Sequence, residues 1–393
     1  MSIPGLNPSV PPAQDPPPVP PQIVAPRPAS PTLRNRPARQ GDAGQEDASS
    51  ERGLKRGLPA EAEEAGMDIE PSTEPEFKRR RVDAGPATPQ RLQALIDAGD
   101  EAGLRALLQQ APELLNASHP PPILQGLTPL CYAASKGLEE MARCLIDCGA
   151  SLEAPSPDGR TPLMYACSSG HLSVAQILRR HGANLTAADL NGDNCLHWVA
   201  DQGREAVVIW LLGEGLGVDV PTHNHMTPLM YACSSGHLSV AQMLQQHGAN
   251  LAAADVDGDN CLHYAATHGR EAVVTWLLSE GFWVDIPTHN HMTPLLYACS
   301  RGHLSTAQML QRHGANLTAA DLHGDNCLHW AANHGREAVV IWLLGEGLGV
   351  DVPTHNHMTA LLYACEAGHL KIAQMLAARG AKLNAINING ESA

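Results

Sequence analysis

The fold is decided by a 33-residue stretch, residues 161–193, which reads TPLMYACSSGHLSVAQILRRHGANLTAADLNGD. Thr161 is a good helix cap and Pro162 suits the first helical position, so a short helix is predicted to begin here. Gly170 can end it, and a second helix with apolar residues at helical spacing follows. The remaining residues predict an extended finger that turns around Asn191-Gly192. Because helices this short do not persist alone in water, neighbouring units must stabilise them.

The same pattern recurs every 33 residues, which predicts a stacked solenoid. Its copies begin at Thr128, Thr161, Asn194, Thr227, Asn260, Thr293, Asn326 and Thr359. Two types alternate from Thr161 onward. Units that begin with Thr share Tyr-Ala-Cys, whereas units that begin with Asn continue Cys-Leu-His. Residues 164–176 and 230–242 are identical, which indicates that the array grew by duplication of a pair.

These units resemble ankyrin repeats. Thr-Pro-Leu opens four of them, Gly-His-Leu opens the second helix at His171, His237, His303 and His369, and Gly-Ala-Asn-Leu begins fingers at Gly182, Gly248 and Gly314. The resemblance covers residues 128–393 as eight repeats, with an atypical capping repeat at 89–127. It implies an all-α repeat solenoid of helix-turn-helix units with β-turn fingers. It also implies that the concave helix face and the fingers bind other proteins.

Residues 1–88 have a different composition, and thirteen of the first 40 are Pro. Such a sequence predicts a disordered, Pro-rich and charged tail, acting as a solvated spacer or as a docking site for an aromatic-lined groove. The tail ends near the basic run Lys78-Arg79-Arg80-Arg81. This run is either a solvated cluster of charges or a nuclear-import signal.

Charge and cysteine usage exclude several classes of protein. Residues 89–393 carry 15 Lys and Arg against 28 Asp and Glu, so the repeats are not expected to bind nucleic acid. Met1–Val10 lacks the features of a signal peptide, and no apolar stretch is long enough to cross a membrane. Equivalent cysteines lie two repeats apart, too far for disulfides. They predict buried thiols in a reducing compartment, the cytoplasm or nucleus, including that of a host cell.

Three fingers read Thr-His-Asn-His-Met, at Thr222–Met226, Thr288–Met292 and Thr354–Met358. At the turn position where the family carries Gly, these fingers have His225, His291 and His357, so a different turn is expected. The side chains predicted to face solvent and contact a partner are His223, Asn224, Met226, His289, Asn290, Met292, His355, Asn356 and Met358. The alternatives are a passive surface and a metal-binding His pair. Two imidazoles supply only half of a tetrahedral site, so no metal or cofactor is expected.

A second candidate surface is a row of aromatic residues, one in each unit, at a position where the family usually has Leu. The row includes Tyr165, Trp198, Tyr231, Tyr264, Tyr297 and Trp330. These rings either pack between repeats or form a stripe that contacts a partner. The acidic fingers, such as Asp189–Asp193, are expected to be turn formers, and the motif histidines His197, His263 and His329 are expected to be structural.

No catalytic motif stands outside the repeat pattern, so no enzyme is predicted. The expected function is protein–protein interaction, as a scaffold or adaptor that holds an unidentified partner protein. The alternative is a nuclear-targeted regulator, of which a bacterial effector inside a host cell would be one form. An enzyme with a cryptic site is the third interpretation.

Overall fold

The computed structural model describes residues 86–119 and 121–392, so most of the predicted tail, including Lys78–Arg81, lies outside the described residues. Within the described residues there are eighteen α-helices, two short 3-10 helices and no β-strand. The α-helices are α1 (Pro89–Ala98), α2 (Glu101–Gln110), α3 (Pro129–Lys136), α4 (Glu139–Asp147), α5 (Pro162–Ser169), α6 (Leu172–Arg180), α7 (Cys195–Gln202), α8 (Glu205–Gly213), α9 (Pro228–Ser235), α10 (Leu238–Gln246), α11 (Cys261–Thr267), α12 (Glu271–Ser279), α13 (Pro294–Arg301), α14 (Leu304–Arg312), α15 (Cys327–Asn333), α16 (Glu337–Gly345), α17 (Ala360–Glu366) and α18 (Leu370–Ala378).

The helix ends follow the predicted capping chemistry. The Thr161 hydroxyl accepts the backbone N–H of Met164 at 3.4 Å, and Pro162 is the first residue of α5. In the Asn units the cap is an amide, since the Asn194 side chain accepts the backbone N–H of Leu196 at 2.9 Å. Gly170 ends α5 in the left-handed region with φ of 83°, which a glycine adopts without steric cost.

The helices pack as repeated antiparallel pairs. Each odd-numbered helix contacts the next odd-numbered helix along the chain, from α1 to α17. The second helices of neighbouring units also pack together, for example α4 with α6 and α12 with α14. One apolar core runs through all units from Leu92 to Ala381. The predicted all-α solenoid is therefore confirmed.

Neighbouring units are also joined by a polar contact between their helix turns. The His171 ring lies 3.2 Å from the carbonyl oxygen of Ser135, in the unit before it. One unit later, Arg204 Nε donates to the Ser168 carbonyl at 3.4 Å. This alternation of His and Arg continues through the array up to His369, which contacts the Asn333 carbonyl.

The cysteines are free thiols, and eight of the ten are buried. Cys365 is exposed in α17 and Cys148 is half-buried after α4. Burial and the neighbouring Cys195 raise the pKa of the Cys167 thiol, so this thiol stays protonated. None of the described helices is both long enough and apolar enough to cross a membrane.

Candidate functional site

The acidic fingers are tight turns held by their own first residue. In the finger Asp189–Asp193, the N–H of Asp189 donates to the carbonyl of Asp193 at 2.9 Å, and the N–H of Gly192 donates to the carbonyl of Asp189 at 3.0 Å. The Asp189 carboxylate also accepts the N–H groups of Asn191 and Asp193 at 2.8 and 3.0 Å. These contacts confirm that the aspartate forms the turn.

The His-containing fingers form the same turn, so the expectation of a different turn is wrong. The N–H of Thr222 donates to the Met226 carbonyl at 2.9 Å, and that of His225 donates to the Thr222 carbonyl at 2.9 Å. His225 takes the left-handed conformation of Gly192, with φ of 61° against 84°. His291 and His357 do likewise, at 58° and 59°. Histidine tolerates this region better than most residues, and the Thr222 hydroxyl, which accepts the N–H of Met226 at 3.0 Å, replaces the aspartate.

Successive fingers are joined by backbone hydrogen bonds that form a ladder. The N–H of the second residue in one finger donates to the carbonyl of the third residue in the finger before it. His223 donates to Asn191 at 3.1 Å, and Val256 donates to Asn224 at 3.2 Å. The ladder continues to Ile388, which donates to Asn356 at 3.0 Å. It therefore fixes the position of each finger against the next.

The second residues of these turns form one exposed line, here called the tip row. Its members are Pro157, Leu190, His223, Val256, His289, Leu322, His355 and Ile388. From Leu190 onward, aliphatic side chains alternate with imidazoles, and these aliphatic side chains are well exposed: 70% for Leu190, 45% for Val256, 49% for Leu322 and 66% for Ile388. Sequence reasoning missed these four. The available signal was an aliphatic residue in a turn, where polar residues are usual.

The structure divides the predicted finger contacts into two groups. His223, His289 and His355 are exposed, as are Asn224 and Asn290, while Asn356 is half-buried. The methionines, in contrast, point inward. Met292 and Met358 are only 6% and 8% exposed, and Met226 is half-buried against the core. The prediction that these methionines face solvent is therefore wrong, because the fifth residue of the turn lies at its base.

The aromatic row lies under the fingers and bonds to their carboxylates. The Tyr264 hydroxyl donates to Asp255 at 2.6 Å, and the Tyr297 hydroxyl donates to Asp259 at 3.1 Å. Trp198 is 2% exposed and its indole N–H donates to Asp189 at 3.2 Å, so the prediction that it contacts a partner is wrong. The other predicted rings are half-buried, namely Tyr165, Tyr231, Tyr264, Tyr297 and Trp330.

One buried carboxyl in the fingers has an altered acidity. Asp259 is 8% exposed, and its Oδ1 has no hydrogen-bond partner among the described residues. Burial raises the pKa of Asp259 to about 7, and the nearby charge of Asp255 acts in the same direction. The Tyr297 hydroxyl acts against them by stabilising the charged form.

The motif histidines are structural, as predicted. His263 is 1% exposed; its Nδ1 accepts the N–H of Asn260 at 3.1 Å and its Nε2 lies 2.9 Å from the Ile286 carbonyl. Burial lowers the pKa of His263 to about 4, so the ring is neutral. Across the described part of the chain, no three His, Cys, Asp or Glu side chains are placed to hold a metal ion.

Comparison with known proteins places this geometry in a family. A family model described as ankyrin repeats (3 copies) matches residues 92–189, 181–255, 251–321 and 313–387. Similar curated proteins include a transient receptor potential cation channel subfamily A member 1 homolog of Caenorhabditis elegans, 28% identical over 38% of this chain and 15% of its own. A putative palmitoyltransferase of Danio rerio is 30% identical over 35% of this chain and 22% of its own. A probable E3 ubiquitin-protein ligase of Oryza sativa subsp. japonica is 34% identical over 27% of this chain and 22% of its own. The matches thus span less than a quarter of these relatives.

Proposed function

Since the chain belongs to the ankyrin-repeat family, we propose that it is a scaffold or adaptor that binds a partner protein through its fingers. The observation that carries this proposal is the tip row, where aliphatic and imidazole side chains stand exposed in one line. A row of exposed apolar side chains bordered by polar ones is the kind of surface at which proteins bind one another.

The tip row has the energetic properties of a binding surface. Burying an exposed aliphatic side chain in an interface contributes about 25 cal/mol per Å² of apolar surface removed from water. Leu190 and Ile388 are the most exposed members, at 70% and 66%, so they have the most surface to bury. The backbone ladder already holds the fingers in register. Little conformational entropy is therefore lost on binding.

The exposed histidines of the tip row add polar contacts between the aliphatic ones. The ring of His223 lies over Gly192, where an added Cβ would meet the imidazole Cδ2 at 3.0 Å, and His289 lies over Gly258 in the same way. Glycine at these turns therefore leaves room for the imidazole. A partner laid along the row would meet an ordered alternation of apolar and hydrogen-bonding groups.

The proposal is tested by comparing two variants of the full chain as bait for partner proteins. The tip variant carries Leu190→Ser, Val256→Ser and Leu322→Ser. The control variant carries Ile209→Thr and Ile341→Thr, which remove apolar side chains of 57% and 54% exposure from α8 and α16. Thr275 stands at the equivalent place in α12, so threonine is compatible with this position.

We expect a partner that the parent and control variants retain, and that the tip variant binds at least about tenfold more weakly. Quantitative mass spectrometry identifies it, and titration of the purified partner measures the dissociation constants. Equal binding by the tip variant and the parent would show that the fingers are passive, and the half-buried rings of the aromatic row would become the preferred surface.

A second candidate function is regulation inside a nucleus, including that by a bacterial effector in a host cell. The run Lys78-Arg79-Arg80-Arg81 favours it, because four consecutive basic residues suit an import receptor. Replacing all four with Ala is expected to abolish nuclear accumulation of the tagged chain in eukaryotic cells. Unchanged accumulation, or none in the parent, would rule this function out.

A further inference from the structure

A cavity of about 620 Å³ lies beside the first residue of the tip row. One wall is the segment between α2 and α3, which contributes His119, Pro121 and Leu127. The opposite wall comes from the finger that contains Pro157 and Asp158, together with Tyr165 of α5. The sequence that forms the first wall departs from the 33-residue pattern of the later units.

The walls are mostly apolar, and the one carboxylate among their polar side chains, which also include Ser118, Gln125 and Tyr165, is Asp158. Pro121 and Pro157 are exposed and Tyr165 is half-buried. The exposed Asp158 carboxylate accepts the Tyr165 hydroxyl at 3.2 Å and the Ser156 hydroxyl. A carboxylate has about four lone-pair sites, so Asp158 can accept further donors from a ligand.

The wall of the cavity also contains the uncharged ring of His119. His119 is 8% exposed, its Nε2 has no hydrogen-bond partner among the described residues, and the ring bonds to the Leu114 backbone. Burial lowers the pKa of His119, so the imidazole is uncharged near neutral pH and does not repel a cation. A ring that donates one N–H to a carbonyl leaves its other nitrogen as an acceptor.

The Arg160 guanidinium, which lies over the cavity-lining Tyr165, already has other partners. The Arg160 guanidinium is 5% exposed and lies between the rings of Tyr165 and Trp198, at 4.2 and 4.0 Å from their centroids. It donates to the Ser168 hydroxyl at 2.6 Å, and this hydrogen bond is buried. Asp158 therefore remains available to a ligand.

We propose that this cavity binds a lysine or arginine side chain, with its aliphatic stem against Pro121 and Pro157 and its charged end at Asp158. A long cationic side chain matches both features, since its stem is apolar and its N–H groups bond strongly to a carboxylate. The repeats, at 15 basic against 28 acidic residues, attract such a ligand. The inference rests on the proposed function only in that a partner protein would supply the side chain.

The experiment titrates the ¹⁵N-labelled full chain with N-acetyl-arginine N-methylamide and with the corresponding lysine and citrulline compounds, followed by TROSY spectra. Citrulline has the size of arginine without the charge. Asp158→Asn tests the carboxylate, and Asp257→Asn removes the same charge from the equivalent place of another finger.

We expect saturable shifts at Gly126, Leu127 and Tyr165 with the arginine or lysine compound, and about fivefold to tenfold weaker binding by Asp158→Asn but not by Asp257→Asn. Which cation binds more tightly identifies the preferred side chain. Equal binding of citrulline, equal weakening by both variants, or no saturable shift would overturn the proposal. Because this titration uses no partner protein, none of its results decides whether the tip row binds a partner. That question is answered separately, by the tip variant described above.

Discussion

Replacing Asp259 with Asn should change how the stability of the array depends on pH. Asp259 has a pKa of about 7 in the folded chain, raised first by burial and then by the charge of Asp255. In the unfolded chain an aspartate titrates near pH 4. Between these values the folded state binds the proton more tightly, so the stabilisation is present below about pH 4 and is lost as the pH rises to about 7.

The magnitude follows from the shift, at about 1.4 kcal/mol for each pH unit within this window. Asn cannot ionise, and its carbonyl can still accept the Tyr297 hydroxyl, which lies 3.1 Å from Asp259. The substitution leaves one buried polar group unpaired at every pH, which adds a constant offset. The variant should therefore gain stability relative to the parent between about pH 5 and pH 7, and the difference should be constant above about pH 8.

The assay is urea denaturation of the parent, Asp259→Asn and Asp158→Asn over this range, followed by circular dichroism. Asp158 is exposed in another finger, so its variant is the control and should follow the pH dependence of the parent. A difference between Asp259→Asn and the parent that does not change with pH would refute the reasoning, because it would show that Asp259 ionises normally in the folded chain.

Three further predictions, two of them with a control substitution, test the fingers and the aromatic row by denaturation. Met292→Ala should lower the free energy of unfolding by about 2–4 kcal/mol because Met292 is 6% exposed. His289→Ala, on the exposed tip, should change it by less than about 0.5 kcal/mol. Equal effects of the two substitutions would contradict the burial of Met292. His225→Gly should raise the free energy of unfolding by up to about 1 kcal/mol, because glycine adopts the left-handed conformation of residue 225 without strain. His223→Gly should give no such gain, because His223 lies outside the left-handed region. Destabilisation by both substitutions would show that the backbone of His225 is unstrained. Trp198→Ala should lower the free energy of unfolding by about 3–5 kcal/mol, because Trp198 is 2% exposed. A loss as small as that of a surface substitution would contradict its burial.

Helices were predictable because their signals are local. A cap such as Thr161, a first-turn Pro162 and a terminal Gly170 each act within a few residues, and the 33-residue period supplied the stacking. The prediction of a different turn at His225 is wrong because the left-handed region does not require glycine. Histidine enters it when the surrounding hydrogen bonds fix the turn, as those of Thr222 do.

The candidate site was less predictable because depth in a finger does not follow from residue type. Met292 and Leu190 are both apolar, yet one lies at the base of a turn and the other at its tip, with 6% and 70% exposure. The direction in which the turn winds decides this difference. The cavity beside Pro157 depends on an irregular segment from another part of the chain, for which no periodic pattern exists.

The alternation of finger types also controls the spacing of buried charge. Each acidic finger carries two buried carboxyls, such as Asp255 and Asp259, while the finger between two acidic ones has a buried Thr and a buried or half-buried Met in their place. Removing any single 33-residue unit between Asn194 and Asp325 would set two acidic fingers, or two His-containing fingers, side by side. Four poorly hydrated carboxyls would then crowd together in the first case, at a cost that like charges impose on each other. Removing two adjacent units, 66 residues, would keep the alternation, so each remaining finger would still lie beside a finger of the same type as in the native array. The alternation therefore favours shortening or lengthening the array in steps of two repeats.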